Sequence, residues 1–290
     1  GGVVIGNNTN ISAKNTYING TVTGTGGGYG VIFSNVSNTT APVVVNFSGN
    51  TSITGINKQS SAASVSGYGR TGVAFGFGAT TLNVQNGVLN ITGCSVFDYG
   101  VAIQEVNGQW ATSCLTLTLS NATVAISGCG SKAGVYFGYQ VKAGYSSSGL
   151  SIEGNGNVSI SGYSASGNGV VLGGSLTNLS CGTVNVTVSG CSSSGNGVVV
   201  QNSASVTNVT ITGTSNSGNG IVVSGSPNIS NSTLTGTSNG SGYGIVISND
   251  SATDSNGSNV TLIGSSVNGT GVSVGSGNRT SINITGLSLI

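Results

Sequence analysis

The stretch Asn185-Val186-Thr187-Val188-Ser189-Gly190, followed after Cys191-Ser192-Ser193-Ser194 by Gly195-Asn196-Gly197-Val198-Val199-Val200, decides the fold. In its first part apolar and polar residues alternate with period two. Val186 and Val188 therefore share one side of a strand, and Asn185, Thr187 and Ser189 the other. The Ser/Gly segment has the chemistry of a tight turn. The closing β-branched triplet has that of a second strand.

The same phrase recurs along the chain. Gly-x-Gly before a β-branched residue starts at Gly167, Gly195, Gly218, Gly242 and Gly269, in steps of 28, 23, 24 and 27 residues. Looser copies are Gly28-Tyr29-Gly30-Val31, Arg70-Thr71-Gly72-Val73, Asp98-Tyr99-Gly100-Val101 and Lys132-Ala133-Gly134-Val135, making nine units with a mean period near 30. An alternating run precedes many of them by about a dozen residues, as at Asn157-Val158-Ser159-Ile160, Asn208-Val209-Thr210-Ile211 and Asn259-Val260-Thr261-Leu262. A unit this small cannot bury its own apolar side, so the units must stack and bury it together.

The expected architecture is all-β: a single right-handed parallel β-helix, or β-solenoid, of about nine coils. Each coil is expected to hold two or three short strands joined by turns. The whole chain, 1–290, is one domain, with irregular coils carrying insertions over 1–149 and regular coils over 150–290. An antiparallel sandwich or a propeller competes on turn density and strand brevity. Unit spacings that vary from 23 to 42 residues around an intact Gly-x-Gly-Val core favour a coil whose insertions bulge from one corner. Right-handed winding is the default for parallel crossovers.

This phrase, most clearly over residues 150–290, resembles the coil of the right-handed parallel β-helix proteins. That family includes pectate lyases, phage tailspikes and adhesins of the filamentous-haemagglutinin type. The resemblance implies a scaffold and leaves activity open. In its glycan-cleaving members the family uses clustered carboxylates. Here the acidic residues are Asp98, Glu105, Glu153, Asp250 and Asp254. Only Asp98 and Glu105 fall close enough to form an acid pair, and a solvated turn carboxylate is the plainer reading. With no His in the chain, Ser–His and Cys–His activation are out of reach. The expectation is a protein that is not an enzyme, without cofactor or metal.

Composition narrows the partners. The chain holds 52 Gly and 4% charged residues, yet 36% of its residues are apolar, which separates it from a disordered linker. A net charge of +1 provides no basic stripe for nucleic acid and no polybasic segment for a membrane surface. No apolar run approaches the roughly 18 residues of a membrane span. A start at Gly1-Gly2-Val3 fits a mature chain after signal removal, and equally a trimmed one.

Asn-x-Ser/Thr occurs 22 times among 34 Asn, where 80 Ser and Thr in 290 positions would give about 9 by chance. Strand alternation accounts for cases such as Asn185-Val186-Thr187, because residues i and i+2 share a side. Turn-like cases it leaves over, and the glycosylation candidates are Asn19, Asn38, Asn50, Asn121, Asn231, Asn239, Asn256, Asn268 and Asn278. The five cysteines fit no zinc or redox spacing. Disulfide candidates are Cys94, Cys129, Cys181 and Cys191, paired as Cys94–Cys129 or Cys181–Cys191; five buried apolar thiols are the other reading. The aromatics before residue 146 read as core filling, or as a platform for surface glycans.

Low charge, sequon density and Ser/Thr/Asn/Gly bias resemble the surface-filament subunits of extremophilic archaea. Both chain ends are apolar and strand-like, with Val3, Val4 and Ile5 at one and Leu287, Leu289 and Ile290 at the other. The functional expectation is an extracellular, cell-surface structural subunit, glycosylated and stacked head to tail with copies of itself, serving adhesion. A stalk segment of a larger adhesin and a polysaccharide-cleaving β-helix enzyme are the alternatives.

Overall fold

A computed structural model describes residues 2–6, 9–34, 42–59, 69–76, 78–103, 113–138, 149–174, 178–179, 183–202, 204–225, 227–248, 255–275, 282–285 and 288–289. These residues form 25 strands and no helix. Two long sheets of parallel strands run side by side. One has ten strands, from Val3–Ile5 to Val272–Val274; the other has 11, ten of them on a main path from Asn10–Lys14 to Ser288–Leu289 and one, Tyr17–Val22, paired beside it. Neighbours within each sheet follow one another in the chain, which passes back and forth between the sheets. The arrangement is consistent with a parallel β-helix.

The second sheet has a corner. Its strands Gly78–Ser95 and Ser113–Gly130 are 18 residues each, longer than the short strands expected from the turn density. Each is two runs joined through a left-handed asparagine, Asn86 at φ 47° and Asn121 at φ 50°. In later coils the corner interrupts the strand at Asn208, Asn231 and Asn259, with φ of 59°, 47° and 51°. There the run before the corner continues as the four-stranded sheet that includes Ser205–Thr207 and Asn228–Ser230, linked back to Ser151 through Asn178. Asparagine tolerates this backbone better than any other residue with a side chain except aspartate, which explains its recurrence. The cross-section thus has three faces. The ten-stranded sheet is face one; the runs before and after the asparagine corner are faces two and three.

Inward residues of all three faces merge into one apolar core extending from Ile5 to Leu262. Aligned columns fill it, as in Val158, Val186, Val209 along face three. Phe33 and Phe75 are register partners, and their rings stack with centroids 5.1 Å apart. That column continues through Ile103, Phe137, Leu172, Val200 and Val223, so its side chains shrink as the units shorten. Burying each such side chain contributes about 1.5–3 kcal/mol. Face one is buried on both sides. Val198 and Val200 point into the core while Val199 between them packs outside it, in a second cluster with Ala133, Val171 and the rings of Tyr99 and Tyr136. Strands covered on both sides read as continuous β-branched runs, which is the origin of the Val triplets.

The recurring glycines do not serve as the turn residues that their spacing suggests. Gly169, Gly197, Gly220 and Gly244 all lack positive φ. They stand where face three meets face one, and backbone touches backbone there. A Cβ on Gly190 would lie 2.0 Å from Gly197 O, and one on Gly197 would lie 2.3 Å from Thr214 N. Nine such pairs, from Gly20 with Gly30 to Gly264 with Gly271, form two facing columns. Gly197→Ala forces two strands apart and is expected to destabilise the protein by at least about 3 kcal/mol in urea unfolding, whereas Gly26→Ala, with nothing within 4 Å, should change stability by less than about 0.5 kcal/mol.

Candidate functional site

Beside the glycine columns runs a turn built on buried serines. Ser192 Oγ accepts the Gly195 N–H at 2.8 Å and donates to Gly167 O of the preceding coil at 2.6 Å. Ser164 and Ser215 accept from Gly167 and Gly218 at 2.8 Å, and Ser266 from Gly269 at 2.9 Å. Ser215 and Ser266 also donate to the previous coil, to Gly195 O and Gly242 O, each at 2.6 Å. One hydroxyl thus satisfies a turn amide in its own coil and a carbonyl in the preceding one. Within the same turn, Asn196 donates through N and Nδ2 to Asn168 Oδ1, and Asn219 repeats the contact onto Asn196. The Ser-x-x-Gly spacing was visible in the sequence, but Ser is too abundant there for four instances to stand out. Ser192→Ala leaves a buried N–H and carbonyl without this partner and should cost about 1–3 kcal/mol in urea unfolding, with the strand pattern intact by circular dichroism.

The serine ladder breaks at Gly130, the register partner of Ser95. Three of the chain's charged residues, Arg70, Asp98 and Lys132, meet at that point. Lys132 Nζ lies 2.9 Å from Asp98 Oδ1, close enough for charge attraction but off the hydrogen-bond direction. Asp98 Oδ2 accepts the Arg70 backbone N–H at 3.3 Å, and the Asp98 N–H donates to Ser95 Oγ at 3.0 Å. Arg70 sits over the Phe97 ring and Lys132 over Tyr99, whose ring stacks on Tyr136 at 4.6 Å. Asp98 therefore ties successive coils together. Glu105, its proposed acid partner, lies outside the described residues, as do Asp250 and Asp254; Glu153 stands exposed on the strand Gly149–Ser164.

On the outer surface of face three, a groove of about 290 Å³ runs between two columns of side chains. Hydroxyls of Thr92, Ser127, Ser161 and Ser189 form one wall, and Cys94, Cys129, Tyr163 and Cys191 the other. Cys94 and Cys129 are register partners, as their offsets suggested, while Tyr163 separates Cys129 from Cys191. Among the described residues there is no disulfide: Cys94, Cys114, Cys129 and Cys191 carry free thiols, and Cys181 lies outside the described residues. Directly opposed residues on parallel strands carry parallel Cβ directions about 4.8 Å apart, beyond the roughly 3.8 Å a disulfide favours. Burial, then hydrogen bonding to Cys129 and repulsion from its charge, push the Cys94 thiol up to about 11. Burial also raises the Cys114 thiol and the Tyr136 phenol. A neutral thiol is a poor nucleophile and a poor metal ligand at neutral pH. Among the described residues no group of three or more Cys, Asp or Glu is placed to hold a metal ion.

Other sequence candidates spread over the surface. Asn19, Asn50, Asn121, Asn231, Asn239 and Asn268 are exposed, and Asn256 lies on the strand Ser255–Ser258. Asn38 and Asn278 fall outside the described residues. At one sheet edge Val4 is 58% exposed and Ile5 is buried, with Val3 packed against the core. At the other, Leu289 is the register partner of Leu262, while Leu287 and Ile290 lie outside the described residues. Of the aromatics, Phe75 and Phe137 are in the core, and Tyr99 and Tyr136 cover face one. Phe77, Trp110, Tyr139 and Tyr145 are not among the described residues.

Compared with family models, curated proteins and solved structures, the chain matches none of them. Among the described residues no helix is long and apolar enough to cross a membrane.

The thiol environment sets a pH dependence. The folded Cys94 ionises near 11 and an ordinary thiol near 9.0, so the unfolded chain ionises first. This contribution to stability is fully present below pH 9 and lost as the pH rises towards 11. Alkylation of Cys94 by iodoacetamide, followed by peptide mass spectrometry, should be slow at pH 8 and accelerate up to about pH 11. A rate that levels off near pH 9 would show an unshifted thiol.

Proposed function

We propose that this chain is an extracellular structural subunit: a single right-handed β-helix of about nine coils, glycosylated, that stacks head to tail with its own copies into a cell-surface filament serving adhesion or cell-cell contact. The observation that carries this reading is the self-complementarity of the two edges of the ten-stranded sheet. Among the described residues Val3–Ile5 pairs with Val31–Ser34 alone, and Val272–Val274 with Ile245–Ile247 alone. Both edge strands carry a β-branched residue at their first and third positions, Val3 and Ile5 at one and Val272 and Val274 at the other, so a second copy can continue the ladder of aliphatic side chains. Contacts of this head-to-tail kind propagate rather than close.

Surface chemistry supports the same reading. With few ionisable groups, the rod's lateral interactions change little with pH, and sugars on exposed asparagines supply the solvation that charges usually provide. A stalk within a longer adhesin is the second reading, since a neighbouring coil would cover the same edges; a purified chain that remains monomeric in electron micrographs and light scattering would favour it.

The test is electron microscopy and intact mass of the native protein, with Val4→Pro as the variant. Val3 N donates inward to Gly30 O, so alternation turns the Val4 N–H to the free edge. Proline removes that donor and blocks pairing there. Native protein should form regular filaments with a mass above 28.1 kDa per chain. Val4→Pro should fold equally well yet fail to elongate. Filaments of unchanged length from the variant would sink the edge-to-edge assembly.

A further inference from the structure

We propose that the asparagine corner between faces two and three is a glycan-bearing ridge on which two adjacent coils are never both occupied. The proposal rests on the glycosylated-surface reading above and adds which asparagines carry sugar and how many can do so together.

Five successive sequon asparagines stand in one column. Asn157 pairs in register with Asn185. Val186 opposite Val209 brings Asn208 above Asn185, and the pairing of Thr210 with Thr233 and of Thr233 with Thr261 adds Asn231 and Asn259. All five are exposed. At two of the four steps their amides bond: Asn185 Nδ2 donates to Asn157 Oδ1 at 3.2 Å, and Asn259 Nδ2 to Asn231 Oδ1 at 3.0 Å.

The corner does not dictate this sequon: Asn157 and Asn185 lack the left-handed φ of Asn208, Asn231 and Asn259, and in earlier coils their register position holds Thr123 and Val88. The hydroxyl two residues later is not required either, since its register column begins at Tyr17 and passes through Asn90 and Ala125. The fold thus accepts a ring, an amide or a methyl where this column has Ser159, Thr187, Thr210, Thr233 and Thr261. A sequon in five consecutive coils exceeds what strand alternation requires.

Successive coils are about 4.8 Å apart, and a hexopyranose with its hydroxyls is no thinner than that. Attachment forms a bond from the sugar C1 to Asn Nδ2, breaks the C1–O bond of a glycosyl phosphate donor, and releases an amide proton with the phosphate leaving group. Glycans on neighbouring coils would then claim one volume, whereas alternate coils, about 9.6 Å apart, leave room for both. The column therefore holds at most three glycans, on Asn157, Asn208 and Asn259, or two, on Asn185 and Asn231.

Native protein is digested with chymotrypsin and deglycosylated enzymatically in heavy-oxygen water, which marks each occupied asparagine as a labelled aspartate. The peptide 180–234 holds Asn185, Asn208 and Asn231 together, and fragmentation should place its labels on Asn208 alone or on Asn185 and Asn231 without Asn208. Asn208→Gln should raise occupancy of Asn185 or Asn231 at least twofold. A single peptide molecule labelled on Asn208 and also on Asn185 or Asn231 overturns the spacing rule. Labels on Asn19, Asn239 or Asn268 with none in the column overturn the ridge alone, and no label anywhere overturns the glycosylated surface as well.

Discussion

Where face three hands the chain to face one, two columns of glycine press backbone against backbone at distances that admit no side chain. The rest of the structure follows from this approach. It sets the angle at which the two faces diverge and so the width of the apolar core between them. It also confines each coil's variation to the places where glycine does not touch glycine. Unit lengths change freely along the chain, while the nine contacts persist. A residue with even one carbon beyond Cα would open the corner and expose the Val and Ile columns behind it.

Much of this was legible in the residues. The Gly-x-Gly units mark the nine contacts one for one, and the alternating runs before them are face three. The reason for the glycines was not legible, because a glycine required by crowding and one required by left-handed backbone look alike in sequence. Among the described residues left-handed backbone outside glycine falls entirely to asparagine, a residue so frequent here that the corner is lost among the others. Strand length was misjudged for the same reason: a left-handed residue inside Ser113–Gly130 turns the chain without ending its pairing. The Val triplets predicted strands correctly, but only the register shows that the middle residue faces a second apolar layer.

The candidate sites divide along similar lines. Cys94 and Cys129 came out as neighbours because their offsets from the glycines agree, and those offsets survive folding into a register. The bridge did not follow, since register fixes which side chains meet and not the Cβ geometry a sulfur bond needs. Asp98 looked like a turn carboxylate in want of an acid partner. Its surroundings show a staple between its own coil, which keeps the turn serine Ser95, and the next coil, where Gly130 stands in the serine's place. The ion pair with Lys132 joins those two coils beside the missing hydroxyl, in a chain that otherwise uses charge sparingly.

The direction of the serine and asparagine ladders bears on how such a rod carries force. Strands lie across the long axis, so backbone bonds between coils, and the side-chain bonds beside them, point along it. A pull on the two ends loads all the bonds of one cross-section in parallel and successive cross-sections in series. Resistance to stretching is then set by the single weakest junction between coils and does not grow with length. Bending is different, because it loads one face and relaxes the others. A rod of this build should yield sideways long before it parts, as a tether exposed to flow must do.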